Sequence, residues 1–256
     1  MIYIQGISYD DKSSYQRGAK LAPPLIRKAL YSESSNLFAE NGVSLSSLDM
    51  ADKGDFLIPD YFDIETTTKA NLEDKSPIFT LGGDHSITYP VIRAISMYYP
   101  QIDILHIDAH ADLYDEFEGD KYSHACPFAR IMEEGLAKNL VQVGIRTLSN
   151  HQREQVKKFG VKTLELRDWE LSKLPYFENP LYISLDMDAF DPAYAPGVSH
   201  YEPGGFTARQ VLQIIQQLKG NIVGADIVEY NPTKDHHDMT AFLAAKMMKE
   251  ILVRMA

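Results

Sequence analysis

The sequence is poor in cysteine and in positive charge. A single cysteine, Cys126, rules out an intrachain disulfide. Lysine and arginine number 25 against 36 aspartates and glutamates, for a formal charge of −11. With no basic stripe, a nucleic-acid partner is not expected, whereas a small cationic substrate is compatible with that charge. No run approaches the ~20 apolar residues of a membrane-spanning helix, so no membrane partner is expected. The opening MIYIQGISYD has neither a basic nor a long apolar segment, and no signal peptide is read there. One thiol and no leader make the cytoplasm the expected location. Low-complexity tracts, repeats and linker-like shifts are also absent, and residues 1–256 read as one domain.

What is present is a regular alternation of short apolar runs with helical patterns. Strands are expected at 2–5, 77–81, 102–107, 140–143, 161–166, 181–185 and 221–228, with an eighth at 43–50. Helical patterns occupy 88–99, 207–218 and 241–255, the second opening with Thr207 and Gln210 at capping-box spacing. Near-continuous apolar strands alternating with helices predict an α/β fold, a parallel sheet with helices on both faces. Functional residues should then lie beyond the carboxyl ends of the strands.

Three expected strands end in chemistry. PIFTL runs into GGDHS, placing Asp84 and His85. IDILHI runs into DAHAD, placing Asp108, His110 and Asp112, and LYISL runs into DMDAFD, placing Asp186, Asp188 and Asp191. In extended backbone alternate residues share a side, so Asp108, His110 and Asp112 should converge, as should Asp186 and Asp188. His106, inside its strand, reads as a hydrogen-bonded core histidine, one residue out of phase with that face. Four packed aspartates repel and protonate unless cations hold them. One divalent ion leaves two charges uncompensated; two ions balance all four. An oxygen-rich donor set without thiolate suits Mn²⁺ better than structural zinc. Two such ions can bring the pKa of a shared water near neutrality. GGDHS alone is an ordinary helix cap, and D-x-H or D-x-D alone is common; their recurrence at three strand ends points to a dinuclear site.

GGDHS, DAHAD, SLDMDAFDP and GADIVEYNP together resemble the motifs of the ureohydrolase (arginase/agmatinase) superfamily. The resemblance runs nearly end to end, from SSYQRGAKLAPPLIRKAL at 13–30 to DMTAFLAAKMMKEI at 238–251. DLYDEFEGDKYSHA, FARIMEEG and DPAYAPGVSHYEPGG are most similar to plant-type arginases, while Cys126 and Pro127 in SHACPF are closer to agmatinases. The resemblance implies a three-layer fold with roughly eight parallel strands, two Mn²⁺ per subunit, and a homo-oligomer, trimer or hexamer. Carried over by motif, His85 and Asp112 hold one manganese, His110 and Asp188 hold the other, and Asp108 and Asp186 bridge both. Asp84 matches the family's outer aspartate, and Asp191 its downstream Asp-Pro.

The resemblance also implies a reaction, hydrolysis of a guanidino group to urea and an amine. Glu229 would pair with the planar guanidinium, Asp112 would orient the attacking hydroxide, and His124, in YSHACPF, would supply or shuttle a proton to the amine. L-Arginine is the expected substrate and agmatine the alternative, within arginine breakdown or polyamine synthesis. LYDEFEGDKY and RTLSN lack the pattern with which animal-type arginases hold the amino-acid end. The acidic loop of Asp115, Glu116, Glu118 and Asp120 would suit agmatine, or is simply solvated. Arg146 is a possible partner for Glu229, and the one nearby cation for the clamp a phosphoesterase would need. His236 and His237 read as solvated loop, and Cys126 as an inert buried thiol. A non-catalytic guanidine-binding relative would usually have lost a metal ligand, and all six are present.

Overall fold

The computed structural model describes residues 1–72 and 75–256. Its strands are β1 (Ile2–Ser8), β2 (Met50–Leu57), β3 (Ile78–Leu81), β4 (Ile102–Ile107), β5 (Ala137–Val143), β6 (Lys162–Leu164), β7 (Leu181–Asp186) and β8 (Ile222–Val228). They form one sheet in the order β2-β1-β3-β8-β7-β4-β5-β6, with every neighbouring pair parallel. The α-helices are α1 (Ala22–Leu30), α2 (Asp63–Asn71), α3 (Thr88–Ile95), α4 (Pro127–Glu133), α5 (Asn150–Phe159), α6 (Ala208–Gln217) and α7 (Met239–Met255). None among the described residues is long and apolar enough to cross a membrane.

The pleat sorts side chains into two cores. Leu105 and Ile107 of β4 and Leu181, Ile183 and Leu185 of β7 pack under α1, α6 and α7. The intervening Ile104 and Tyr182 face α2, α3 and α4. Strands apolar on both sides are what a sheet covered on both faces requires, so the expected three-layer α/β architecture holds. Helix α6 begins as its spacing predicts: Thr207 Oγ1 accepts the Gln210 N–H at 3.2 Å, and Gln210 Oε1 accepts the Thr207 N–H at 2.9 Å.

The eighth strand is not at 43–50. There the chain makes a 3₁₀ turn at Leu45–Ser47 that buries only Leu45, and β2 follows at Met50–Leu57. β2 lies on the sheet's edge, only half-buried, so the run MADKGDFL carries charges that an apolar search passes over. Arg27 of α1 grips this edge, donating to both oxygens of Asp52 (2.7 and 2.8 Å) and to Asp55. Charged side chains blunt an edge against pairing with another chain.

Candidate active site

Four adjacent central strands, β3, β8, β7 and β4, deliver the candidate residues from their carboxyl ends. Three of these ends use the same local device. Asp84 Oδ1 accepts the N–H of Ser86 (3.1 Å), Asp108 Oδ1 that of His110 (2.6 Å), and Asp186 Oδ1 that of Asp188 (2.7 Å). An aspartate that captures the amide two residues on makes an Asx turn. Convergence of Asp108, His110 and Asp112 therefore does not come from the pleat, as expected; β4 ends at Ile107 and the chain turns. Asp112 sits at φ 49° and Glu229 at φ 61°, left-handed conformations uncommon outside glycine. Glu229 is locked to the GGDH turn: its N–H donates to Gly83 O at 2.9 Å, and its Oε1 accepts the His85 N–H at 2.9 Å.

Two clusters result. His85 Nδ1 lies 3.2 Å from Asp108 Oδ2, 3.0 Å from Asp112 Oδ2 and 3.1 Å from Asp186 Oδ2. His110 Nδ1 lies 3.0 Å from Asp188 Oδ2 and 3.6 Å from Asp108 Oδ1. Asp108 thus turns one oxygen to each imidazole. Asp186 and Asp188 are almost fully buried. Burial, then neighbouring carboxylate charge, raises Asp186 well above the usual carboxylate range. Burial, opposed by His110, pushes Asp188 up to about 6.

His85 decides what such a cluster needs. Its Nε2 is 2.9 Å from Ser184 Oγ, and that hydroxyl donates to Asp226 Oδ1 at 2.7 Å. Ser184 has one proton and gives it to Asp226, so its oxygen accepts from His85 Nε2–H. In the neutral ring Nδ1 is then a lone pair, fully buried and without a hydrogen-bond partner, aimed at three carboxylates. A lone pair facing anions is unfavourable: against the cost of burial, Asp108, Asp112 and Asp186 hold His85 well above its usual pKa, so a proton fills the gap in the metal-free protein and a divalent cation can take its place. Carboxylate oxygens and imidazole nitrogens without thiolate fit divalent ions of the manganese kind.

Further residues brace the donors. His106 is in phase with Asp108, not out of phase. It donates from Nε2 to Asp108 Oδ2 (2.6 Å), and its Nδ1 accepts from Gln142 (3.1 Å). Glu202 Oε1 faces His110 Nε2 at 3.4 Å. Asp84 Oδ2 accepts Lys12 N–H and Ser13 Oγ, anchoring the segment that brings Ser14 Oγ to 2.8 Å from His124 Nε2. The other His124 nitrogen is 3.1 Å from Glu229 Oε1. Burial would lower the His124 pKa, but hydrogen bonding to and the charge of Glu229 push it up to about 9. His200 stacks on His124 with ring centroids 5.2 Å apart. Ser14, Gln142, His200 and Glu202 do not stand out in the sequence; SHYEP, a His and a Glu two apart in a Pro/Gly loop, is the visible signal for the last two.

Other candidates fall elsewhere. Arg146 does not pair with Glu229; its guanidinium donates to the carbonyls of Asp188 (2.7 Å), Ala189 (3.3 Å) and Glu202 (3.0 Å), tying the turn after β7 to the loop at 200–202. Asp191 closes a loop through the N–H groups of Ala193 and Gly204. His236 and His237 are exposed. Cys126 is buried, and burial followed by Asp112 pushes its thiol up to about 12. A cavity of about 630 Å³ opens over the cluster, lined by His110, Asp112, Asp186, Asp188, His124 and Glu229, among others.

The sheet and this floor of carboxylates and imidazoles define a metal-dependent hydrolase of the three-layer α/β type. The chain belongs to the Arginase family, whose pattern it matches over residues 1–253. It is a ureohydrolase, acting on a C–N bond of a linear amidine. It is 45% identical to "Arginase, mitochondrial" of Medicago truncatula, an alignment covering 99% of this chain and 81% of that protein. The solved arginase from Medicago truncatula superposes with a TM-score of 0.92 at 43% identity, covering 99% of this chain and 87% of that one. The agmatinase of Bacillus cereus is more distant, 32% identical over 98% of this chain and 91% of its own length. The expected cytoplasmic location is corrected by these relatives: the Medicago and Arabidopsis arginases are named mitochondrial, which points away from the cytoplasm. A lone cysteine reports the lack of disulfides, not the compartment.

Proposed function

We propose that this chain is an arginase, hydrolysing L-arginine to L-ornithine and urea. The observation that carries the reading is the cavity floor, where Glu229 and His124 stand beside His110, Asp112, Asp186 and Asp188, with His85 and Asp108 fully buried behind them. The choice of arginine over agmatine follows the greater likeness to plant arginases.

In this reading His85 and Asp112 hold one Mn²⁺, His110 and Asp188 hold a second, and Asp108 and Asp186 serve both. When bound, the two cations neutralise the four carboxylates and supply the polarising charge that makes water nucleophilic near neutral pH. Asp112, fixed by its left-handed backbone, orients that water by accepting its hydrogen bond. Glu229 Oε1 is occupied by the His85 N–H and by His124, which leaves Oε2 for the guanidinium. Ser14 and Glu229 hold the His124 ring by its two nitrogens. His124 supplies the proton that the departing amine nitrogen takes up as the C–N bond breaks. Residues 1–256 act as one ureohydrolase domain, assembled as a homo-oligomer, trimer or hexamer. The excess of acidic residues supports a cationic substrate and no nucleic-acid partner.

The test is urea release by Mn²⁺-loaded protein, with L-arginine and agmatine run side by side. A preference for L-arginine is expected. Urea from agmatine alone would make the chain an agmatinase, and urea from neither would overturn both substrates and point to another guanidino acid.

A further inference from the structure

The cavity is acidic at its floor and basic at its rim. The floor residues Asp112, Asp186, Asp188 and Glu229 are buried. Arg153 of α5 and Arg167, just after β6, line the same cavity with side chains 45% and 71% exposed, which places them at its mouth. Glu165 lies between them. Arg153 Nη1 donates to Glu165 Oε1 at 2.9 Å and its Nη2 to Oε2 at 3.4 Å, while Arg167 Nη2 is 3.3 Å from Oε2. Arg167 Nε also approaches Asp168 at 3.4 Å, a residue outside the cavity lining. Within the rim, two guanidiniums share one carboxylate.

The acidic loop at 115–120 does not offset them. Of its residues only Phe117 lines the cavity. Asp120 pairs with Lys12 at 2.6 Å and Asp115 with His151 at 2.9 Å. The case for an ammonium-binding loop, open on sequence, therefore does not reach the cavity.

A guanidino substrate with its cation on the acidic floor presents its other end to the rim. For L-arginine that end carries a carboxylate beside its α-ammonium, with no net charge; for agmatine it is an ammonium alone. Two guanidiniums attract the first and repel the second. We propose that Arg153 and Arg167 form a carboxylate-reading subsite that selects guanidino acids over guanidino amines. The inference rests on the ureohydrolase reading for what occupies the floor.

The experiment uses the Mn²⁺-loaded full chain, the double variant Arg153→Met/Arg167→Met, and Glu165→Gln. Steady-state kinetics are taken on L-arginine and agmatine, and calorimetry measures binding of L-ornithine and putrescine. In the double variant KM for L-arginine rises about tenfold, the size expected for losing a partly solvated charge-assisted contact, while kcat/KM for agmatine increases. L-Ornithine binding weakens by a similar factor and putrescine binding tightens. Glu165→Gln has the opposite sign: it frees both guanidiniums and lowers KM for L-arginine, a gain that a misfolded variant would not give. Equal changes on both substrates, or none, overturn the subsite. Urea release with L-ornithine binding unmoved by the double variant sinks the subsite and keeps the hydrolase. No urea from the unsubstituted protein, with L-ornithine binding still lost in the double variant, sinks the arginase reading and keeps the subsite.

Discussion

His85 Nε2 rests 2.9 Å from Ser184 Oγ, whose own proton is directed at Asp226. Asp226 is fully buried and also takes the hydroxyls of Thr88 and Tyr182, each at 2.8 Å. This chain fixes which ring nitrogen of His85 is bare. Partners of this kind tune metal affinity by about 10–100-fold. Ser184→Ala should therefore weaken Mn²⁺ binding by at least about tenfold, read by calorimetric titration of the metal-free protein. Unchanged affinity would mean that the ring is oriented by other contacts.

The His124–Glu229 pair makes metal-free stability depend on pH. His124 is raised from 6.5 to about 9, so its contribution is complete below 6.5 and is lost as pH climbs through about 9. Glu229 is lowered from 4.5 by its hydrogen bond to His124 against the cost of burial. Its contribution is present above 4.5 and is lost as pH falls through the depressed value. Thermal melts of the native sequence and of His124→Asn should differ most between about pH 4.5 and 6.5 and converge above about pH 9. A difference that grew with pH would contradict the pairing.

Glu229→Gln removes the charge proposed to pair with the guanidinium but keeps the side chain's shape. A loss of about 100-fold or more in kcat/KM is expected, the scale of a buried charge pair broken on one side, with both manganese ions retained. An unchanged rate would remove Glu229 from the reaction.

Gly83 holds the turn that carries Asp84 and His85. A Cβ there would come within 1.7 Å of the Tyr9 carbonyl oxygen, a backbone atom with no rotamer to escape into. Gly83→Ala should cost about 3 kcal/mol or more, at the upper end of overpacking penalties, measured by denaturant unfolding. A cost below 1 kcal/mol would show that β1 and β3 slide apart easily.

Much of this was legible in the chain. Apolar runs flanking GGDHS, DAHAD and DMDAFD located the central strands, because a strand buried on both faces has little freedom of composition. The edge strand β2 was hidden by its charges, which its half-exposed position permits. The candidate ligands are legible as residue types, but alternation along a strand predicts convergence from the pleat, whereas it arises from Asx turns and two left-handed residues. Ser14, Gln142 and Glu202 reach the site from segments distant in sequence, and periodicity carries no signal for such contacts. Arg146 reads in sequence as a partner for Glu229 because backbone carbonyls, its true partners, leave no mark there.

The central claim is that the cluster around Asp108 is built for two cations. Calorimetric titration of the metal-free chain with Mn²⁺, with bound metal counted after desalting, tests it most directly. The account predicts two Mn²⁺ per chain, falling to one or fewer in Asp108→Ala. A native stoichiometry of one, or two ions still bound after loss of Asp108, would contradict it.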